Sequence, residues 1–484
     1  MCNIPAANSA ADKNPSPPNL DVTITTSSSS LGTGTNTINE LGVLFSVAFP
    51  IALTALILYS RSVVSMLFLG TLGELSLAGG SLAIAFANIT AYAILAGLSL
   101  GMDPLCSQAF GANNSKLLTL TLHRSILFLL CSSLPISLLW LHVSKILLFI
   151  GQDREITAMA QTYVYYCLPD LISFSLIHPI RIYLRSQSIT APLTLSAIFA
   201  AIVHLPANFL LVTHLGFGIS GVAAASAFSN FMLLIFLLIY IKLTGTIQNP
   251  TWTWECFAGW SPLIRLAAPS CVSVCLEWWW YEIMILLCGL LPNSKSAVAS
   301  MGVLIQATSL LYVFPSSLGL GVSTRVGNEL GGNQPSAARA SSHVAFYLSA
   351  VMGLLSMVFA MGMKEIWGKL FTNDVEILRL SMAALPIIGL CELGNCPQTV
   401  GCGVLRGCAR PRAAVYVNLG GFYLVGMMVA VGVGFVLDVG FCGIWMGLLA
   451  AQVTCAGLMA YVVRTTNWEA EAKKAQLLAM VRRN

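Results

Sequence analysis

The sequence predicts an all-α integral membrane protein with twelve transmembrane helices, arranged as two parallel six-helix lobes around a central cleft. The composition, the spacing of apolar segments and an internal duplication predict this fold class. Hydrophobic residues make up 57% of the 484 residues and charged residues 9%, whereas about a quarter of the residues of a globular protein are charged. The mean hydropathy is +0.81. Lys and Arg do not form a basic cluster, so we expect no nucleic-acid partner.

Twelve apolar segments follow a polar N-terminal tail, and each approaches the roughly 20 residues that a helix needs to cross a bilayer. They cover residues 43–69, 77–100, 125–143, 159–180, 193–212, 219–241, 263–291, 297–320, 344–363, 380–400, 413–437 and 441–463. Residues 1–40, rich in Ser, Thr, Asn and Pro, predict a disordered cytosolic tail. The polar segment 243–262 predicts a cytosolic linker between an N-terminal lobe (41–242) and a C-terminal lobe (263–463), and residues 464–484 a cytosolic C-terminal tail.

The distribution of Lys and Arg predicts the orientation in the membrane. If the N-terminus is cytosolic, 17 of the 24 Lys and Arg residues face the cytosol and 6 face the opposite side. Cytosolic loops carry an excess of these cations. We therefore expect both termini of a multi-pass membrane protein to be cytosolic.

The two halves of the chain repeat the same signals in the same order. Residues 108–113 correspond to 328–333, Leu184-Arg185 to Leu405-Arg406, 218–221 to 440–443, and the motif at 48–50 to that at 267–269. Six spans is an even number, so both copies face the same way and form parallel repeats. Such a duplication is typical of transporters.

Two acids flank three tryptophans and a tyrosine in the seventh segment, at Glu277 and Glu282. A carboxylate at membrane depth is costly unless it lies in a cavity, so such an acid is by default a functional residue. Burial disfavours its charged form and favours proton binding. The two acids lie about 140° apart on a helix, so we expect only one of them to face the cleft.

Other polar and aromatic residues predict the surroundings of the cleft. Glu392 lies between Pro386 and Pro397, which we expect to loosen the tenth helix and help to form a proton site. Asp170 predicts a polar site in the fourth helix, and Arg61 of the first helix is expected to pair with Asp170 or Glu74. The side chains expected to line the substrate cleft are Trp278, Tyr281, Tyr312, Gln306, Met301 and Asn88.

Charged residues near the helix ends are interpreted as structural. Asp103 is followed by a proline and predicts a helix-end feature, whereas Arg185, Arg325 and Arg406 predict cytosolic hinges and anchors. Most of the cysteines lie in apolar runs without the spacing of zinc ligands. We therefore expect neither a metal, a cofactor nor catalytic residues.

Motifs along nearly the whole chain after residue 40 resemble those of the multidrug and toxic compound extrusion (MATE) transporters, specifically the plant DETOXIFICATION branch. The motifs lie at 108–112, 276–279 with Glu282, 325–331, 403–407 and 468–469. The resemblance implies a secondary antiporter, not an enzyme, that exports or sequesters small organic solutes in exchange for protons or sodium ions. Organic cations, secondary metabolites and hormones are the implied solutes. Vacuolar, endosomal, Golgi and plasma membranes are the implied locations, and we expect a monomer.

The resemblance also assigns roles to the acids. Glu277 lies at the position of the family's coupling acid in the seventh helix. Many relatives carry an aspartate where this chain has Asn395, which cannot titrate. The role has either moved to Glu392, one turn away on the same face, or been lost from this helix, and we favour the move. We expect Glu277, Glu392 and Glu282 to couple protons, and Asp170 and Asn395 to form a second polar site.

Two other functions stay open, a non-transporting membrane regulator with a transporter fold and a lipid or oligosaccharide flippase. A flippase should have a wide cationic groove, for which the spans supply few Lys and Arg residues. A regulator should tolerate Glu277→Gln without a phenotype. Neither alternative is favoured over a proton-coupled transporter.

Overall fold

The computed structural model describes residues 33–247 and 254–480, and most of these residues are helical. Twelve helices, α1–α12, follow the order of the predicted spans, and α13 follows them. Their bounds are α1 Thr33–Thr71, α2 Leu75–Gly111, α3 Ser115–Trp140, α4 Arg154–Ser186, α5 Ala191–His214, α6 Gly218–Thr244, α7 Ser261–Gly289, α8 Ser294–Gly331, α9 Pro335–Met363, α10 Val375–Gly407, α11 Pro411–Val436, α12 Phe441–Arg464 and α13 Trp468–Met480.

Eleven of the described helices are long and apolar enough to cross a membrane. The remaining predicted span corresponds to α4, which has 33 residues but carries Asp170, Arg181 and Arg185 among its apolar residues. Several helices continue beyond the predicted segments, and α8 reaches 38 residues. The hydropathy of a segment marks the part suited to lipid, whereas the backbone hydrogen bonds of a helix can continue into its polar ends.

The two prolines of the tenth helix do not interrupt it. Pro386 and Pro397 lie inside α10, which is continuous from Val375 to Gly407, although neither proline can donate a backbone hydrogen bond. Wider π-helical turns occur instead in α2 at Asn88–Tyr92, in α5 at Phe209–His214, and in α11 at Leu419–Gly426 and Gly432–Val436. Such turns are frequent at functional sites, and the turn in α2 borders the outer of the two cavities described below.

The ends of the predicted segments also need adjustment. Residues 33–40, assigned to the N-terminal tail, begin α1. Residues 1–32, the linker residues 248–253 and the tail residues 481–484 lie outside the described part of the chain. The end of the linker forms a short turn, Trp254–Phe257, which contacts α3 through an ion pair of 3.1 Å between Lys116 and Glu255.

Backbone conformations repeat between the two halves. Four pairs of corresponding residues have positive φ angles: Asn113 (53°) and Asn333 (57°), Ser188 (61°) and Ala409 (56°), Gly216 (66°) and Asp438 (54°), and Gly218 (57°) and Gly440 (67°). The first pair follows α2 and α8, and the second follows α4 and α10. The same left-handed turns therefore end corresponding helices, as expected for duplicated lobes.

The lobes meet through corresponding close contacts. A β-carbon at Gly101 of α2 would overlap the backbone of Ala267 on α7, and a β-carbon at Gly321 of α8 would lie 3.5 Å from the side chain of Ala48 on α1. Ala48 and Ala267 begin the duplicated motif of the first and seventh spans. The two lobes are thus related by an approximate twofold axis that passes between α2 and α8.

Candidate functional site between the lobes

Two adjoining cavities of about 240 and 290 Å³ lie between the lobes. Glu277, Trp278 and Tyr312 line both of them. The smaller, outer cavity also contacts Asn88, Ile89, Trp279, Tyr281, Glu282, Ile305, Thr308 and Ser309. The larger, inner cavity extends to His178, Arg181, Arg185, Thr399, Cys402 and Arg406, among others. One wall of this chamber is therefore acidic and aromatic, and its inner end carries cations.

Four of the predicted cleft residues lie on the chamber walls, namely Asn88, Trp278, Tyr281 and Tyr312. Of the other two, Met301 needs correction, whereas Gln306 faces the opposite lobe. Met301 is fully buried in the apolar core of the C-terminal lobe, and the Gln306 side chain accepts a hydrogen bond of 3.3 Å from the Tyr59 hydroxyl of the other lobe. Both residues were assigned from helical position alone, which does not show which neighbouring helix covers each face of α8.

The three tryptophans of α7 point in different directions, as predicted. Trp278 and Trp279 line the outer cavity. Trp280 is fully buried and packs against Phe422 and Tyr423, with ring centroids 5.8 and 6.1 Å away. Two tryptophans are thus available to a solute, while the third holds α7 against α11.

Glu277 and Glu282 both line the outer cavity, so the prediction that only one of them faces the cleft is wrong. The cavity covers a wide arc of α7, from Glu277 through Tyr281 to Glu282. The two acids still differ in their surroundings. Glu277 is buried, with 8% of its surface exposed, and also reaches the inner cavity, whereas Glu282 is half-buried.

Glu277 is held by two polar side chains of the same lobe. Its carboxyl group interacts with the Tyr312 hydroxyl and with the side-chain amide of Gln398. The Gln398 amide also donates to the Asn418 side chain at 3.0 Å, and Asn418 donates to the Ser273 backbone carbonyl on α7 at 3.2 Å. The acid of α7 is therefore tied to α8, α10 and α11.

Glu392 lies deeper in the C-terminal lobe, beside Asn395. The Asn395 amide donates to Glu392 Oε2 at 2.9 Å, so the two residues share a face of α10 as expected. The Thr399 hydroxyl is 3.4 Å from Asn395 Oδ1 and 3.1 Å from Gln398 Oε1. Side chains of α10 thus connect Glu392 with the partner of Glu277, although Glu392 itself does not line either cavity.

Asp170 belongs to a separate polar group in the N-terminal lobe. The Asn230 amide donates to Asp170 Oδ1 at 3.0 Å, and Arg61 donates to Asn230 Oδ1 at 2.8 Å. The expected partner Arg61 therefore reaches Asp170 through Asn230. Because Asn395 lies in the other lobe beside Glu392, Asp170 and Asn395 do not form one site.

A buried ion cluster at the inner end of the chamber was missed by the sequence reasoning. Asp103 is fully buried and lies 2.9 Å from Arg185 and 4.0 Å from Arg406, while the Ser323 hydroxyl donates to its Oδ2 at 2.8 Å. The prediction of a helix-end feature is wrong, because helix continues on both sides of Asp103 as far as Gly111. The Asp103 carboxylate therefore interacts with one arginine from each lobe.

The sequence model of the MatE family matches residues 50–210 and 269–431. The chain belongs to the MatE family. The two matched segments fall within the two lobes, so this MATE transporter carries one copy of the family's unit in each lobe. It is a multi-pass membrane protein, as the eleven long apolar helices among the described residues indicate.

This MATE transporter is similar to plant proteins over almost its whole length. It is 61% identical to Protein DETOXIFICATION 51 of Arabidopsis thaliana, over 91% of the chain and 83% of that protein. It is 60% identical to Protein DETOXIFICATION 52 of the same plant, over 91% of the chain and 87% of that protein. The resemblance to the DETOXIFICATION branch is thereby confirmed.

Solved structures show the same fold. The crystal structure of the eukaryotic MATE transporter AtDTX14 matches with a TM-score of 0.88 at 29% identity, over 92% of this chain and 100% of that chain. A Vibrio cholerae MATE transporter, VcmN, matches with a TM-score of 0.80 at 16% identity, over 90% and 100% of the two chains. These matches confirm the predicted all-α, two-lobe architecture.

The inner end of this MATE transporter is closed by corresponding hydrogen bonds between α2, α8 and the ends of α4 and α10. Gln108 of α2 donates from its amide to the Gly407 carbonyl of α10 at 2.9 Å. Its counterpart Asn328 of α8 donates to the Ser186 carbonyl of α4 at 3.2 Å. Each bond joins one lobe to the other. We call this contact region, together with the Asp103 cluster, the inner seam.

Two glycines allow the inner seam to form. A β-carbon at Gly111 would overlap the backbone of Asn328, and a β-carbon at Gly331 would overlap the backbone of Gln108. The glycines of the duplicated motifs at 108–113 and 328–333 are therefore explained by the close approach of two backbones. They are the last residues of α2 and α8.

Segments near both ends of the described part of the chain contact the inner seam. The Asn114 amide of the N-terminal lobe donates to the Ala479 carbonyl of α13 at 2.8 Å, and Gln476 of α13 donates to the Gly331 carbonyl at 2.5 Å. Arg325 of α8 forms a two-point contact with Glu40 of α1, with distances of 3.0 and 3.2 Å. Arg325, which was predicted to be an anchor, thus binds Glu40 of the other lobe.

Proposed function

We propose that this MATE transporter is a secondary active antiporter, which removes a small organic solute from the cytosol in exchange for protons by alternating access. Glu277 carries the proposal. It is a buried carboxylate that lines both cavities and contacts hydrogen-bonding groups of α8 and α10. An intramembrane acid that faces a cavity is typical of a proton or ion site.

The side chains between Glu277 and Glu392 support a shared coupling site. Gln398, Thr399 and Asn395 join the surroundings of the two acids by hydrogen bonds. A change of charge on Glu277 alters which groups can donate to it, and Gln398 passes that change toward Glu392. Glu392 takes the role of the aspartate that relatives carry at the Asn395 position.

The closed inner seam defines the state from which the cycle starts. With both termini in the cytosol, the seam closes the cytosolic end, so protons enter from the opposite side. A cationic group held over Trp278 or Tyr312 gains about 0.5–2 kcal/mol in addition to its attraction to the Glu277 carboxylate. Proton binding neutralises that carboxylate and releases the solute. The seam then opens, and the cytosolic side removes the proton.

Transport by proteoliposomes under an imposed pH gradient tests this proposal. We expect the purified full-length protein to concentrate organic solutes on the acidic side of the membrane, and the accumulation to collapse when a protonophore removes the gradient. A panel of organic cations, secondary metabolites and plant hormones is measured as radiolabelled solutes. Equal movement with and without either a proton or a sodium gradient would overturn secondary active antiport.

The cations of the inner cavity add a constraint on the solute. Arg185 and Arg406 share Asp103, whereas Arg181 lines the same cavity and makes no ion pair with any residue the structure describes. A half-buried guanidinium that lines a confined cavity can bind a carboxylate or phosphate group by charge-assisted hydrogen bonds. The chamber therefore favours a solute with an acidic group near Arg181 and a basic or aromatic part near Trp278.

Arg181→Gln should lower the affinity for carboxylate-bearing solutes about tenfold or more, because a hydrogen bond to a charged group contributes about 1.5–3 kcal/mol. Uptake of a cation without an acidic group should not fall. The half-saturation concentrations of both solute classes are compared in proteoliposomes. Arg339→Gln, which removes an exposed arginine outside the chamber, is the control. An equal loss for both classes would contradict the assignment of Arg181 to solute binding.

A further inference from the structure

A basic groove lies on the outer surface of the C-terminal lobe, apart from the chamber. It is lined by Arg265 and Leu266 at the start of α7 and by residues 409–413 and Tyr416 around the start of α11. Arg410 and Arg412 lie on either side of Pro411, the first residue of α11. Three guanidinium groups from two helices therefore converge on one depression.

The positive charge of this groove is only partly neutralised. Arg265 and Arg412 are exposed, and neither forms an ion pair with a residue in the described ranges. Arg410 donates to the Thr466 hydroxyl at 3.1 Å and lies 3.9 Å from Glu471. Glu471 is closer to Lys474, at 2.9 Å, so the one carboxylate beside the groove is shared between two cations.

The groove lies at the level where a lipid headgroup would be. It occupies the first turns of two membrane-crossing helices. Lipid-facing apolar surface continues from it, since Ile264 and Leu419 are each 43% exposed and Tyr416 is 72% exposed. Tyrosine is enriched at the membrane interface because one end of its side chain is apolar and the other polar. A phosphate held by the arginines would leave its acyl chains beside these side chains.

The fold itself does not require these cations. The duplication aligns Arg265 with Ser46, Arg410 with Ile189 and Arg412 with Ala191 in the N-terminal lobe. The corresponding positions of the N-terminal lobe therefore carry none of the three arginines. The duplicated fold does not account for this cluster of cations, and binding of an anion does.

We propose that the groove formed by Arg265, Arg410, Arg412 and Tyr416 binds a phosphate-bearing anion, either the headgroup of an acidic phospholipid or a soluble phosphate compound. Arginine pairs readily with phosphate oxygens, and basic pockets between membrane helices bind phosphorylated headgroups. Because Arg265 and Glu277 lie on the same helix, an anion in the groove holds the end of the helix that carries the chamber acid.

Native mass spectrometry of the purified full-length protein tests this proposal. The probes are phosphatidylinositol phosphate, phosphatidylcholine as a lipid without net charge, and inositol phosphate as a headgroup without acyl chains. The variants are Arg265→Gln, Arg412→Gln and their combination, and Arg339→Gln is the control for loss of an exposed arginine. Thermal unfolding of each variant establishes that it is folded.

We expect each substitution to weaken phosphatidylinositol phosphate binding about fivefold, since a basic residue near a membrane surface contributes on the order of 1 kcal/mol. Arg339→Gln should bind like the wild type. Binding of the lipid but not of inositol phosphate would identify a headgroup site, and comparable binding of both would identify a soluble phosphate site. Retention by the double variant of wild-type affinity for both phosphorylated probes would overturn the proposal.

Discussion

Glu277→Gln should reduce solute uptake driven by a pH gradient to the level of protein-free liposomes. Glutamine has nearly the shape of glutamate and can keep contacts with Tyr312 and Gln398, but it cannot take up a proton. The variant therefore separates coupling from packing. Gradient-driven uptake is measured in proteoliposomes at equal protein content, and binding of the solute is measured separately by its effect on thermal unfolding.

Two carboxylates offer matched controls for that substitution. Glu376→Gln removes an acid that lies at the start of α10 and pairs with Arg379 at 2.7 Å, where a surface ion pair contributes little. Its uptake should equal that of the wild type. Glu282→Gln removes the second acid of the outer cavity and should have a smaller effect than Glu277→Gln, because Glu282 is half-buried and does not reach the inner cavity. Unchanged gradient-driven uptake by Glu277→Gln would refute its coupling role.

The fold was predictable because its main determinants are local in the sequence. Membrane-spanning helices need long apolar segments, and duplicated motifs such as those at Gly111 and Gly331 place corresponding turns in both lobes. The fourth helix shows the limit of hydropathy, since Asp170 and Arg181 lie within a helix of 33 residues. Those polar residues face other helices or the chamber and so do not meet lipid.

The site was predictable only in part, because its walls come from several helices. The identity of α7 as a chamber wall followed from the cost of an acid at membrane depth, and Asn395 beside Glu392 followed from helical spacing. Met301 failed because helical position does not show which neighbour covers a side chain. The contact of Glu282 with the cavity was missed because the width of the cavity depends on the separation of the lobes.

The duplicated sequence contains a feature that indicates the Asp103 cluster but was not used to predict it. The repeat aligns Asp103 with Ser323 and Arg185 with Arg406. Two corresponding arginines therefore lie on either side of the approximate twofold axis, and a single acid on that axis can pair with both. The arginine is present in both halves of the sequence, whereas the acid is present only in the N-terminal half. This difference is the sequence feature that indicates a contact between the lobes.

Asp103→Asn should open the inner seam. The carboxylate is fully buried and is the acid that Arg185 and Arg406 share, so its loss leaves the buried Arg185 and the half-buried Arg406 without this counter-charge. Removing one partner of a buried ion pair costs about 3–5 kcal/mol, which corresponds to a population change of at least about a hundredfold. We expect a lower unfolding temperature and a larger population with the inner end of the chamber open.

Cys106 reports that opening, because it is fully buried one turn from Asp103. Its reaction with a soluble maleimide, followed for that residue by peptide mass spectrometry, should accelerate in Asp103→Asn. Glu255→Gln is the control. This substitution breaks the ion pair with Lys116. The side chains of Glu255 and Lys116 are 54% and 71% exposed, and such a surface pair contributes about 1 kcal/mol or less. Equal labelling rates and unfolding temperatures for Asp103→Asn and the wild type would contradict the role of the cluster.

Moving the acid across the approximate twofold axis distinguishes charge pairing from a local packing defect. In the double variant Asp103→Ser with Ser323→Asp, the carboxylate and the hydroxyl exchange places between α2 and α8, and the two arginines are unchanged. Because Ser323 already lies 2.8 Å from Asp103 Oδ2, the relocated carboxylate stays within reach of both guanidinium groups. We expect Asp103→Ser alone to open the seam and the double variant to restore slow labelling of Cys106. Persistent rapid labelling in the double variant would show that the position of Asp103, and not its charge, closes the chamber.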